Sequence, residues 1–266
     1  MKRTAILLFL LFELSTPAGA ATFVISHPRQ VEDCILRRSE VTYHDEQYWT
    51  GWNFGASQTL DAGYGIAMWN MWRGNILIRF DLRGIDCREV SAARIYKPRN
   101  VTQTSPEVPV AVYAVKECNA AWREGSMESM PQHDAASWLC RSDGEEWAGG
   151  PNGCSVAGVD HDAEPLCRAA ASRWLRAASA RLSGEWLEFE IPAALVRQWI
   201  EAPEKNAGLL IKTDAPEEVM GDHVLFYSSE HASGKGPQLV VEGRRGKAKF
   251  AADPAKRYNP RYVMPR

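Results

Sequence analysis

Four tryptophans crowd one short stretch of the chain: Trp49 and Trp52, then Trp69 and Trp72 beside Asn70 and Arg73. Flat indole rings can stack on the C–H faces of a polyhydroxylated ligand while neighbouring polar groups take its hydroxyls. Tryptophan is also a core residue that is seldom fully buried, so packing competes with binding at all four positions. Trp122, Trp186 and Trp199 fall within regular elements and are expected in the core.

Three basic residues form a second candidate set. Arg79, Arg94 and Lys212 sit where strand alternation turns them away from the apolar side chains. A guanidinium fork suits carboxylates and an ammonium acts as a point charge. On one concave face the three could read an acidic ligand. The competing reading is ion pairing, for example Arg79 with Asp81 or Glu190, worth about 0–1 kcal/mol at a surface. The direction of Arg79 separates the two. Aimed into a groove with Arg94 or Lys212, it reads a ligand. Held against a carboxylate, it is scaffold, and the ligand site falls to the tryptophan loops.

Asp143, Glu145, Asp160 and Asp162 could offer oxygen ligands to Ca²⁺, but without the spacing of an EF-hand loop. A solvated acidic loop with His161 exposed is the favoured reading. No cofactor is expected, with structural Ca²⁺ the one alternative. Catalytic signatures are missing: there is no Gly-x-Ser-x-Gly elbow, His-Glu-x-x-His run or phosphate-cradling glycine loop. Ser228-Ser229-Glu230-His231 holds triad residue types, yet neighbours in sequence seldom form a triad. An enzyme is therefore not expected.

Residues 1–20 read as a signal peptide. Lys2 and Arg3 precede the apolar run Ala5–Phe12, and Pro17-Ala18-Gly19-Ala20 supplies small residues for cleavage. The apolar run is too short to span a bilayer, which takes about 20 residues, so no membrane span is expected. A formal net charge of −2 gives no support to a bulk nucleic-acid partner. Export and six cysteines, Cys34, Cys87, Cys118, Cys140, Cys154 and Cys167, suggest disulfides, with several pairings open and at least one pair among the last three. Residues 244–266 carry clustered Lys and Arg without strand period. They read as a basic flexible tail that could adhere to an anionic cell surface.

These residues need elements to position them. Ile76, Ile78 and Phe80 alternate with Leu77, Arg79 and Asp81, and Leu77 suggests a central strand partly covered on both faces. Strands are also expected near 22–26, 40–48, 59–64, 90–97, 108–115, 186–191, 208–213, 224–229 and 238–242, with residues 31–39 left open. Pro192 opens a short helix over Ala193–Glu201. Residues 119–184 are loop-rich, and 168–178 could be helical. Many short strands, frequent turns and one short helix point to an all-β antiparallel sandwich or barrel over residues 21–243.

The order of motifs resembles a DNRLRE-type domain, similar to carbohydrate-binding module family 96 and the disaggregatase-related domains. The resemblance covers residues 40–242. It rests on Asn53-Phe54-Gly55, Gly63-Tyr64, Arg73 with Leu77-Ile78-Arg79-Phe80-Asp81-Leu82, and Trp122-Arg123-Glu124-Gly125. Trp147-Ala148-Gly149-Gly150, Trp186 to Glu190, Asn206 to Lys212 and Phe226 to Glu230 continue it. The resemblance implies a jelly-roll β-sandwich that is secreted and binds a polysaccharide, alginate-like acidic glycans included, without catalysis. A structural or adhesive cell-surface protein is the alternative, and a polysaccharide lyase or hydrolase the third reading.

Overall fold

The computed structural model describes residues 20–41, 49–67, 70–85, 87–100, 108–170, 180–183, 186–213 and 223–245. Strands run in the order β1 (Ala20–Ile25), β2 (Val31–Val41), β3 (Trp52–Asn53), β4 (Thr59–Ala67), β5 (Asn70–Phe80), β6 (Cys87–Asn100), β7 (Pro109–Ala114) and β8 (Met130–Pro131). β9 (Cys140–Ser142), β10 (Glu145–Glu146), β11 (Cys167–Ala170), β12 (Ala180–Ser183) and β13 (Trp186–Ile191) follow. The helix α1 (Ala193–Glu201) precedes β14 (Leu209–Thr213), β15 (His223–Tyr227) and β16 (Gln238–Arg245).

All paired strands are antiparallel, and the architecture is an all-β sandwich with one α-helix among the described residues. One layer orders as β12-β13-β6-β16-β1, the other as β2-β5-β14-β7-β11. β4 pairs with the start of β5 and with β15, and β15 pairs with the end of β6. The two layers are thus one sheet curled around its core. Alternation sorts the side chains as the sequence implies. Ile76, Ile78 and Phe80 of β5 join Val31, Ile35, Val110, Val112, Leu209, Ile211, Ile95, Phe189 and Val241 between the layers. Val196 and Trp199 of α1 close this core.

The second layer is also covered outside. Residues 116–166, the loop-rich stretch, fold back over it and bury Leu77, Tyr113, Leu210, Trp122, Trp138 and Trp147 in a second cluster. Leu77 therefore sees apolar surroundings on the side that a half-exposed strand would give to water. At usual transfer values each such side chain contributes about 1.5–3 kcal/mol. Trp122 and Trp199 lie in the core as expected, whereas the side chain of Trp186 is outside the described residues. Residues 31–39 form the long strand β2, and the strand expected over 40–48 falls mostly outside the described residues. Residues 168–170 are strand rather than helix, because they pair with β7. β16 continues to Arg245, so Arg244 and Arg245 are strand and the remaining basic residues lie outside the description.

The disulfide expectation is corrected: all six cysteines are free thiols. Alternation explains several separations. Cys34 faces the outer cluster, while Cys87 and Cys167 face the inner core. The Cys140 thiol instead lies 3.4 Å from the Ser137 hydroxyl. Burial raises the pKa of Cys34 and Cys154, and pushes that of Cys167 up to about 12, which keeps these thiols unreactive. Thiol titration of the unreduced protein in denaturant should count six groups, and added reductant should leave its Tm unchanged.

Asn53 joins the outer covering to the sandwich. It is fully buried, and its Nδ2 donates to the carbonyls of Glu124 (2.6 Å) and Ala136 (3.0 Å). Its Oδ1 accepts from the N–H groups of Gly55 and Met127, each at 3.1 Å. A Cβ on Gly55 would meet the Glu124 carbonyl oxygen at 2.2 Å, so the Asn-Phe-Gly turn is fitted to this contact. Asn53→Ala should lower the unfolding free energy by about 1–3 kcal/mol for each buried group left unsatisfied, read from urea midpoints.

Candidate functional site

Arg79 points outward from β5 and its side chain is 17% exposed. It pairs with Glu32 of β2, donates to the carbonyls of Ala120 (2.6 Å) and Trp122 (2.9 Å), and stacks 4.5 Å from the Trp122 ring. Lys212, on the same outer face of β14, reaches the Ser155 carbonyl, His161 Nε2 and the face of Tyr113. Arg94 belongs to β6 of the other layer, opposite Val240 and Glu190, and its side chain is outside the described residues. The structure therefore does not gather the three basic candidates. Arg79 and Lys212 hold the outer covering, joined by Arg38, which stacks 5.2 Å from Trp138. A concavity of about 580 Å³ adjoins Arg79, but its other walls mix Arg29 and Arg83 with Glu32, Asp81 and Glu204. Asp81 and Arg83 pair with each other there at 2.7 Å.

The four acidic candidates also stay apart. Asp143 pairs with Arg123 at 3.4 Å, Glu145 with Arg141 at 2.7 Å, and Asp162 with Lys116. Asp160 is fully buried, against the expectation of a solvated loop. Its carboxylate accepts from Asn119 Nδ2, Gly149 N and Val156 N, and so organises a turn. His161 is likewise buried rather than exposed. Its Nδ1 lies 2.6 Å from the Asp162 carbonyl and its ring 4.4 Å from Tyr113. Burial holds its pKa below the ordinary histidine value. Both exceptions arise because residues 116–166 pack on the sheet, which local sequence polarity does not reveal. In the Ser228–His231 run, Ser229 Oγ donates to Glu230, while His231 Nδ1 turns to Ser233 and its ring stacks on Tyr227.

Trp49 and Trp72 do converge, although Trp72, with Asn70 and Arg73, lies in strand β5 rather than in a loop. Trp72 sits on the inner side of β5 beyond the last core residue, and its ring lies across Gly65, where a Cβ would come within 2.0 Å. Its Nε1 donates to Asp61 Oδ2 at 2.8 Å. Trp49 meets it edge to face at 5.8 Å. The Arg37 guanidinium, from the same side of β2, stands 5.7 Å from Trp49, 5.3 Å from Trp72 and 4.7 Å from Phe54, and bonds to Asp61 Oδ1 at 2.7 Å. His223 of β15 is 5.9 Å from Trp72. Trp52 is half-buried one turn on, in β3, and Trp69 lies outside the described residues. The sequence offered no reason to choose Arg37, Asp61 or His223. Each comes from a strand remote in sequence, and only the curl of the sheet joins them.

A third cluster escaped the sequence altogether. Carboxylate oxygens of Asp33, Glu124 and Glu230 lie within 4.8 Å of one another. Burial and the charges of Asp33, Glu230 and Glu32 push the Glu124 pKa up to about 10, and burial raises that of Glu230. In metal-free protein the folded chain then keeps a proton that the unfolded chain has lost above about pH 4.5. Stability from this group is present below that pH and fades as pH rises toward 10. In EDTA, urea midpoints should fall between pH 5 and pH 9, and Glu124→Gln should flatten that slope.

Among the described residues no helix is long and apolar enough to cross a membrane. No family model matches the chain, and no curated protein matches it.

Proposed function

We propose that this chain is a secreted, non-catalytic β-sandwich that binds a polysaccharide at the Trp49–Trp72 corner, in keeping with its resemblance to DNRLRE-type domains. The observation that supports this is a set of polar atoms around two half-buried indoles. Arg37 Nε, Thr50 Oγ1 and His223 Nδ1 are buried with no hydrogen-bond partner among the described residues. Unmet donors and acceptors cost about 1–3 kcal/mol each. Sugar hydroxyls both donate and accept, so a ring laid beside the indoles could serve such groups once their side chains turn toward it.

The corner bears on the charge of the ligand. Asp61 already neutralises Arg37, so an approaching uronate meets an adjacent carboxylate rather than an uncompensated cation. Hydroxyl recognition is thus better supported than recognition of acidic groups, with Arg79 and Lys212 engaged elsewhere. Affinity electrophoresis on alginate, pectin and neutral glucans provides the test. Retention is expected on at least one, with Trp49→Ala and His223→Ala each weakening it about tenfold or more. Correctly folded protein that no glycan retards would overturn the reading.

A further inference from the structure

Asp33 is the starting point. It lies on the inner side of β2, between the core residues Val31 and Ile35, and is fully buried. Its N–H donates to Glu124 Oε1 at 2.7 Å, and its Oδ2 accepts from Ser229 N–H at 2.9 Å. Glu124 follows Trp122 in the outer covering, anchored by the Asn53 bond to its carbonyl. Glu230 lies in the turn after β15, with Oε1 accepting from Ser229 Oγ at 2.9 Å. Its Oε2 is buried without a hydrogen-bond partner. Neither Glu124 nor Glu230 has an Arg or Lys partner among the described residues.

Three carboxyl groups from three separate segments are costly to bury together. Coulomb repulsion at this spacing has to be relieved by protons or by a cation. A further feature distinguishes this place from a merely acidic patch. Ser228 is fully buried, and its Oγ makes no hydrogen bond of ordinary geometry. It lies beside the Glu230 carboxylate, whose charged form it favours. A buried hydroxyl oxygen beside the Glu230 carboxylate adds to an all-oxygen donor set. Hard divalent cations take such ligands, and Ca²⁺ accepts them in flexible geometry.

We propose that Asp33, Glu124, Glu230 and the Ser228 hydroxyl bind a divalent cation, Ca²⁺ by the chemistry of the donors. The ion joins β2, the outer covering and the turn after β15. Its role is structural, because Asp33 and Ser228 are closed off from solvent. Arg37 stands four residues from Asp33 on the same strand face, about 13 Å away. The cation site and the tryptophan corner are therefore separate, and neither reading rests on the other.

Calorimetric titration with CaCl₂ of full-length protein stripped by EDTA, paired with thermal unfolding, tests the site. One Ca²⁺ should bind, and at a hundredfold excess over Kd the Tm should rise by about 5–10 °C. Glu230→Gln should weaken Ca²⁺ at least tenfold and abolish the Tm rise, with near-UV circular dichroism unchanged. Glu124→Gln should do the same, while Asp143→Asn leaves binding intact. Folded protein giving neither heat nor a Tm shift with Ca²⁺, Mg²⁺ or Mn²⁺ would overturn the proposal. So would a Ca²⁺ response that survives both glutamine variants.

Discussion

The fold depends on covering β5 from both sides. Its inner residues fill the space between the layers, and its outer residues carry Leu77 and the cation of Arg79. An apolar outer face must be removed from water, and residues 116–166 do this with three tryptophans. Those residues contribute little regular structure, so their backbone needs partners from elsewhere. Arg79 supplies two of them, and Asn75 donates to the Gly153 carbonyl at 2.9 Å. The indole of Trp122 returns a bond to the Ala207 carbonyl at 2.8 Å. Polar residues on the outer face of a sheet would ordinarily meet solvent. Here they are the attachment points of a second layer of chain.

That arrangement limits where a ligand can bind. The outer face of the second layer, toward which Arg79 and Lys212 point, is occupied by the chain itself. The first layer carries no such covering over β1 and β16, where Val24 is exposed, and the ends of the sandwich are also open. Trp72 marks such an end, since β5 has passed its last inward aliphatic residue and faces Gly65. The ring can be half-buried there without leaving a void, because glycine lets it lie against the backbone. Asp61 fixes its edge and Arg37 its neighbourhood. The corner is preorganised by bonds that do not involve its unpartnered atoms.

The legible part of the sequence was the part governed by period. Alternation in Ile76 to Phe80 placed each side chain on its correct face, and Leu77 announced the double burial. The turn at Asn53-Phe54-Gly55 and the helix after Pro192 were equally readable. Residues 119–166 were not, because most of their packing on the outer face follows no period. Asp160 and His161 look like a solvated loop by polarity, yet they lie beneath folded chain. The basic candidates illustrate the same gap. Alternation gave the correct direction for Arg79 and Lys212, outward, but could not say that the outside was occupied. Cysteine number suggested disulfides, and strand facing separates Cys34 from Cys87 and Cys167.

β2 connects these observations. It pairs only with β5 among the described strands, so its other side is an edge of the sheet. Open edges invite pairing with other chains. Here Glu124 takes up one edge group by accepting the Asp33 N–H, while β2's own Ser39 Oγ accepts the N–H of Trp49 at 3.3 Å. The same two contacts bring the acidic cluster and the tryptophan corner to the strand, one near each end. The carboxyl that caps this edge is buried among other carboxylates, and these raise the pKa of Glu124 although the Asp33 N–H bond itself lowers it. A loop that caps the other end brings Trp49 beside Arg37. Both candidate sites are therefore tied to β2, one through its Asp33 N–H and the other through the Ser39 side chain.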